Sequence, residues 1–326
     1  MRKYNIPIFI PHEGCGHDCV FCNQRKITGV ESSVTPSQAR AEMEEYLSTI
    51  KSEDCQIEIA FFGGSFTGLS LELQREFLAA ASSFSDRRIA GIRLSTRPDY
   101  INAEILEQCV RFGVTTIELG VQSAVDSVLK LNRRGHRFSD VAEASRMIKA
   151  AGIDLGLQMM VGMYGSNEEF DRLTCRRIIE LAPKCTRIYP TLVLKGTELE
   201  RLYERGEYAP YSLEQAVMVS KDCLVKFREN NIDVIRIGLY PGEDLRSAGN
   251  IVAGPFHSAF GELVENAVYR DKFERKINAE NIRDCEYAIK ASPREVSKII
   301  GQRGCNKKYF YEKYGVKIKV LQSREE

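Results

Sequence analysis

Short apolar runs recur along the chain, separated by polar stretches with helical spacing. The runs at 6–10, 57–62, 91–96, 115–121, 154–161 and 186–194 read as strands. Between them lie helix signals. Thr35-Pro36-Ser37-Gln38 supplies an N-cap, a proline at the first helical position and a glutamine that closes a capping box. The spacing predicts further helices over 70–83, over 139–151 and over 167–181. Another, capped by Asn102, runs to Gly113, a residue suited to the left-handed position after a helix. The strand runs carry few polar alternations, which predicts parallel strands buried on both faces.

Alternating strands and helices imply a parallel sheet. An eight-unit barrel takes roughly 31 residues per unit, so residues 6–195 hold six units and predict a partial (β/α)6 barrel. Each unusual motif directly follows a strand: CGHDCVFC, GGSF, TRPDY, VQS, MYGS and LKGT. Barrel active sites are built from those loops.

A chain of 326 residues exceeds one compact core, so a second, smaller domain is expected. We place the barrel and its extension at 1–240, a connecting region at 241–284, and a small α+β module at 285–322. The module reads as a strand at 285–291, a capping box at Ser292-Pro293-Arg294-Glu295, a helix to 300, a helix over 305–314 and a strand over 316–321. Tyr309, Phe310, Tyr311 and Tyr314 fall at helical spacing and read as core. Gly301, Gln302, Arg303 and Gly304 stand between the two helices. This βααβ order with an interhelical GxxG resembles the minimal core of a KH domain. The resemblance implies that these four residues clamp RNA phosphates. Charge points the same way. The net is +1, but from residue 265 onward fifteen Lys/Arg face ten Asp/Glu, a local +5 against −4 for the rest.

No secretory signal and no run of about 18 apolar residues is visible, so the reading is cytoplasmic, with no membrane partner. Ten cysteines are then reduced thiols or metal ligands. Cys15, Cys19 and Cys22 put three thiolates on one short loop. They suit a structural zinc ion with His17 or His12 as fourth ligand, or a [4Fe–4S] cluster with one iron left open. The other seven (Cys55, Cys109, Cys175, Cys185, Cys223, Cys285, Cys305) lack ligand spacing.

The Cys-x3-Cys-x2-Cys spacing, with Phe21 before the last cysteine, resembles the radical S-adenosylmethionine (SAM) superfamily. The resemblance implies a [4Fe–4S] cluster on Cys15, Cys19 and Cys22, SAM as cofactor, and an electron donor such as flavodoxin or ferredoxin. Phe21 would pack on the adenine. Gly63, Gly64 and Ser65 would bind the SAM amino group, Gln122 and Ser123 its ribose side, and Arg134 its carboxylate. More narrowly, FFGGSF, TRPDY, ELGVQS, RGH and YPTLVLKGTELERLYERGEY resemble the radical SAM half of the Elongator catalytic subunit over residues 10–215. That family modifies wobble uridines of tRNA, which implies tRNA as partner. Two departures stand out. Ser95 occupies a position where the family has a SAM-binding glutamate. Nothing here reads as the acetyl-CoA loop of the family's second domain, so no acetyl-CoA binding is expected. His257 is a candidate proton donor. The alternative is a radical SAM enzyme for a small molecule or protein, with the tail serving assembly.

Overall fold

The structure, a computed structural model, describes residues 2–10, 15–23, 34–239 and 250–322. His12 and residues 241–249 of the expected connecting region, with residue 240, lie outside these. The strands of the large unit are β1 (Arg2–Ile10), β2 (Cys55–Gly63), β3 (Ile89–Thr96), β4 (Val114–Gln122), β5 (Asp154–Val161), β6 (Cys185–Pro190), β7 (Val193–Leu194) and β8 (Asp233–Ile237). All but β7 pair in parallel in chain order, forming one curled seven-stranded sheet, a partial barrel. The helices that return the chain are α1 (Pro36–Thr49), α2 (Leu71–Ser82), α3 (Ala103–Arg111), α4 (Asp126–Leu131), α5 (Phe138–Ala150), α6 (Glu168–Glu180), α7 (Glu198–Glu204) and α8 (Leu213–Glu229). Their starts follow local chemistry. Thr35 forms the expected capping box, and Asn102 and Asn167 each accept a backbone N–H from the first turn.

Two expectations change. The sixth run is broken at Pro190; Thr191 N–H turns to Val161 O at 3.0 Å, and β7 pairs antiparallel with β9 (Ile251–Ala253). The seventh strand, β8, then extends the sheet beside β6. Second, the strands are not apolar on both faces. Ile57, Ile59, Ile92, Leu94, Ile117, Leu119, Leu155 and Leu157 are buried against the helices. The opposite face carries Glu58, Arg93, Glu118, Gln158 and Arg187. An incomplete barrel does not fill its inner face with packed side chains, so ionic groups can sit there if they are paired. Arg93 bonds Glu58 at 2.8 Å and Glu118 at 2.9 Å, and Arg187 bonds Glu118 at 2.8 Å. Two cations and two anions close a neutral set. Burial disfavours the Glu118 charge, yet Arg187 and Arg93 hold its carboxyl below the usual range.

The C-terminal unit contains α9 (Phe260–Ala279), β10 (Glu286–Ala291), α10 (Pro293–Ile300), α11 (Cys305–Tyr314) and β11 (Lys317–Gln322), with β10 and β11 parallel. The expected strands and helices of the module are present. Its boundary is not at 285, however, because Phe273 and Ile277 of α9 are part of the same core as Ile289, Ile299, Phe310, Val316 and Ile318. The other end of α9 places Phe260 and Val264 in the barrel core. One helix therefore belongs to both cores. Glu265 on α9 bonds Arg228 of α8 at 2.6 Å and faces Lys298 of α10 at 3.5 Å. Buried Asn306 donates to Asn266 O at 2.9 Å, pinning α11 to α9.

Candidate active site at the carboxyl ends of the strands

The cysteine loop is fixed from behind. Cys22 N–H closes a turn on Cys19 O at 3.0 Å, Leu199 N–H bonds Val20 O at 2.8 Å, and Asn23 bonds Lys195 O at 3.2 Å. Val20 and Phe21 pack with Val193, Leu199, Leu202 and Tyr208. The long motif from Tyr189 to Tyr208 thus buttresses the loop that carries the thiols.

In front of the loop lies a cavity of about 400 Å³ lined by Cys15, Cys19, Cys22, Phe21, the ends of β2 to β4, Gln158 of β5, and Arg134. Gly63 and Gly64 form the turn at the end of β2. Gly63 has φ +104°, and a Cβ there would lie 2.8 Å from Ile10 O, so no other residue fits without a shift. Ser65 Oγ stands 3.4 Å from Cys15 Sγ. At the end of β4 a register shift places Gln122 at φ +66°, a rare region for a side-chain-bearing residue. Its Oε1 is buried without a protein partner among the described residues. Arg134 donates to Cys19 Sγ at 3.2 Å and to Gly120 O at 2.7 Å, and its buried Nε has no protein partner among the described residues.

The TRPDY motif holds this arginine. The Arg97 guanidinium donates to Arg134 O and makes a two-bond pair with Asp99 at 3.0 Å. Asp99 also faces His17 at 3.7 Å and buried His136 at 3.9 Å. Burial, then the charges of Arg134 and Arg97, push His136 down to about 4, so it is neutral at pH 7. Tyr100 OH accepts from Gly16 N–H at 3.1 Å. Sequence reasoning marked TRPDY as unusual but gave Arg97, Asp99 and Tyr100 no role. It also passed over Gln158, which lines the cavity beside Ser95. The position of TRPDY at the end of β3, on the same rim as GGSF and VQS, was the available signal.

Not every expected residue reaches the cavity. Ser123 is buried behind it, accepting from Val125 N–H at 3.2 Å and lying 3.5 Å from Thr174. His257 accepts from Ala259 N–H at 3.0 Å, a local loop bond. His17 turns to Asp99, and among the described residues no three cysteine, histidine or carboxylate side chains converge as a cage for a single ion. A cubane cluster takes its thiolates on separate irons and needs them farther apart than one zinc ion does. The donor set around the cavity fits such a cluster, and the partnerless Gln122 Oε1 and Arg134 Nε fit a polar ligand beside it.

A further concavity, of about 650 Å³, lies on the C-terminal unit between α10, α11, β10 and β11; Val296, Ile300, Ile318 and Val320 line it together with Lys307, Lys308, Tyr311, Lys317 and Lys319, the last paired with Glu286 at 3.3 Å. Phe310 is core, as expected. Tyr309 and Tyr314 are half-buried on Glu274. Tyr311 departs from the expectation: it is 55% exposed, with Lys317 5.8 Å from its ring centre. In the GxxG segment, Gly301 and Gly304 have φ +77° and +76°, and Arg303 is exposed.

Comparison with known proteins decides the family. The model described as "Radical SAM superfamily" matches residues 9–174, half of the chain, and that of the "Radical_SAM C-terminal domain" matches residues 183–270. The chain belongs to the radical SAM superfamily. This radical SAM chain is 32% identical over 203 residues to a tRNA uridine(34) acetyltransferase of Methanocaldococcus infernus, covering 56% of this chain and 38% of that one. It is 31% identical over 201 residues to Elongator complex protein 3 of Saccharomyces cerevisiae, covering 55% and 36%. Among solved structures, the archaeal Elp3 of Methanocaldococcus infernus with an N-terminal deletion superposes with a TM-score of 0.63 at 25% identity, over 86% of this chain and 64% of that one. The chain thus spans less than two fifths of the length of these curated relatives. Among the described residues no helix is long and apolar enough to cross a membrane.

Proposed function

We propose that this radical SAM protein modifies uridine in tRNA, with a [4Fe–4S] cluster held by Cys15, Cys19 and Cys22. The supporting observation is the single cavity that gathers the three cysteines, the Gly63-Gly64-Ser65 turn, Phe21, Gln122 and Arg134. When bound, the cluster and SAM supply a 5′-deoxyadenosyl radical by one-electron reduction of the sulfonium. The protein's own groups bind and orient. Arg134 places a positive charge at Cys19 and keeps one N–H for a carboxylate. Gln122 offers an acceptor, and the Gly63–Gly64 backbone lets a ligand approach closely. Neutral His136 adds no charge to the Arg97–Asp99 pair that fixes Arg134. The test is anaerobic: the reduced protein should release 5′-deoxyadenosine and methionine from SAM. Stoichiometric zinc, with no cluster after reconstitution, would sink the reading.

The RNA half of the proposal rests on the relatives' names and on the lysine-lined groove with exposed Tyr311. A KH-like module would hold RNA along this groove and at residues 301–304. Gln302→Asp with Arg303→Asp should cut RNA affinity and leave basal SAM cleavage intact. Binding should fall with rising salt, since phosphate contacts release counterions. Cytoplasmic action and an electron donor of the flavodoxin or ferredoxin type belong to the same proposal.

A further inference from the structure

The cavity floor holds one group that the cofactor reading does not use. Gln158, in the middle of β5, sits at the register of Gly120, directly before the bulge that turns Gln122. Its Nε2 donates to Glu118 Oε2 at 3.2 Å and to Ser95 Oγ at 3.4 Å. Both bonds leave from the amide nitrogen. Glu118 is 1% exposed, its Oε1 bonded by Arg93 and Arg187 and its Oε2 by Arg187 Nε, so it is an ionised carboxylate and can only accept. A glutamine amide normally turns over to suit either a donor or an acceptor; here that freedom is removed. The nitrogen must face Glu118, and the carbonyl oxygen is left for the cavity.

We infer that Gln158 determines which base reacts, its Oε1 accepting a hydrogen bond from the imide N3–H of a uracil ring. The inference rests on the reading that the substrate is a uridine in RNA. Uracil carries a donor at N3, where cytosine carries an acceptor. A fixed carbonyl therefore accepts the first and leaves two lone pairs opposed with the second. Rejection of this kind is stronger than that of a merely ill-fitting shape, because a buried polar group is left without its partner. Glu118, with Arg93 and Arg187 behind it, acts as the positioning residue. The small side chain of Ser95 accepts the second amide hydrogen.

The test uses the whole reconstituted chain and three anticodon stem-loop RNAs with uridine, N3-methyluridine or cytidine at the wobble position. Affinities are read by fluorescence anisotropy, and SAM affinity by calorimetry. Wild type should favour uridine over the other two by roughly 3–10-fold, the net strength of one ordinary hydrogen bond. Gln158→Leu should bind all three alike and keep wild-type SAM affinity, which also reports that it folds. Wild type that binds uridine and N3-methyluridine equally well overturns the inference and leaves the RNA reading standing. Loss of SAM affinity in Gln158→Leu, with base preference intact, overturns it too and assigns the amide to the cofactor. Failure of all three RNAs to bind wild type overturns the RNA reading and this inference together.

Discussion

Arg134 links three things at once: the cysteine loop, the backbone of β4 and, through Arg97, the end of β3. Arg134→Ala should weaken SAM binding by about 1.5–3 kcal/mol, the range for a hydrogen bond to a charged group; calorimetry with the reconstituted protein checks it, and unchanged affinity would place the carboxylate elsewhere. Cys19→Ser should abolish the brown chromophore of anaerobic protein, whereas Cys55→Ser should keep it, because Cys55 is buried at the start of β2 and donates to Ser52 O at 3.0 Å. Asp171 carries a pH signature. Burial raises its carboxyl to about 6 despite bonds from Ser166, Gly162 and Tyr211. The folded state then keeps this proton longer than the unfolded chain does, so raising the pH favours unfolding. The penalty is absent below the ordinary aspartate value near pH 4 and complete above 6, about 3 kcal/mol in all. Denaturant melts of wild type and Asp171→Asn should therefore diverge by that amount between these limits, wild type losing ground as pH rises. A constant difference would show that Asp171 does not titrate in this window. At this scale the sequence was most legible where function is local. Three cysteines on one loop are readable from spacing, whereas the Arg97–Asp99 clamp joins the end of β3 to Arg134, 37 residues beyond Arg97, and nothing local encodes that.

Among the elements, the repeating βα units were readable because each helix turns one apolar stripe to one sheet. Helix α9 was not, and the reason is physical. Its residues serve two cores in different directions: Phe260 and Val264 toward the barrel, Phe273 and Ile277 toward the small sheet. No single stripe of apolar positions results, so the period that marks an amphipathic helix is diluted. The alternation of polar residues along β2 to β5 was likewise present in the sequence; the assumption of a filled interior hid it. Ile277, 1% exposed, should be sensitive: Ile277→Ala should destabilise the chain by about 2–5 kcal/mol. Asn306→Ala would leave Asn266 O and Lys298 O without the amide donor that reaches them at 2.9 and 3.3 Å. A loss of about 1–3 kcal/mol is expected for such a buried carbonyl; equilibrium unfolding measures both.

For the molecule as a whole, the partial barrel and the small C-terminal sheet were foreseen, but the polar interior of the barrel and the joint between the two units were not. The expected separate module is built onto the last helix of the barrel extension, with Arg228, Glu265 and Lys298 tying α8, α9 and α10 together. Heating should thus give one calorimetric transition rather than two, with the Ile277→Ala change lowering the whole transition and not a minor shoulder. Two resolved transitions would show that the cores come apart independently.

A shared helix also changes the terms on which a long ligand is held. Twenty residues of α-helix span roughly 30 Å. Were the lysine-lined groove joined to the thiol-lined cavity by a slack tether, a strand crossing both would have to freeze that tether on binding, and the second contact would be diluted over every arrangement the tether allows. With α9 embedded at both ends, there is one arrangement. Contact at the groove then sets a single effective concentration for the segment over the cavity, and which segment arrives there is decided by contour length along the ligand.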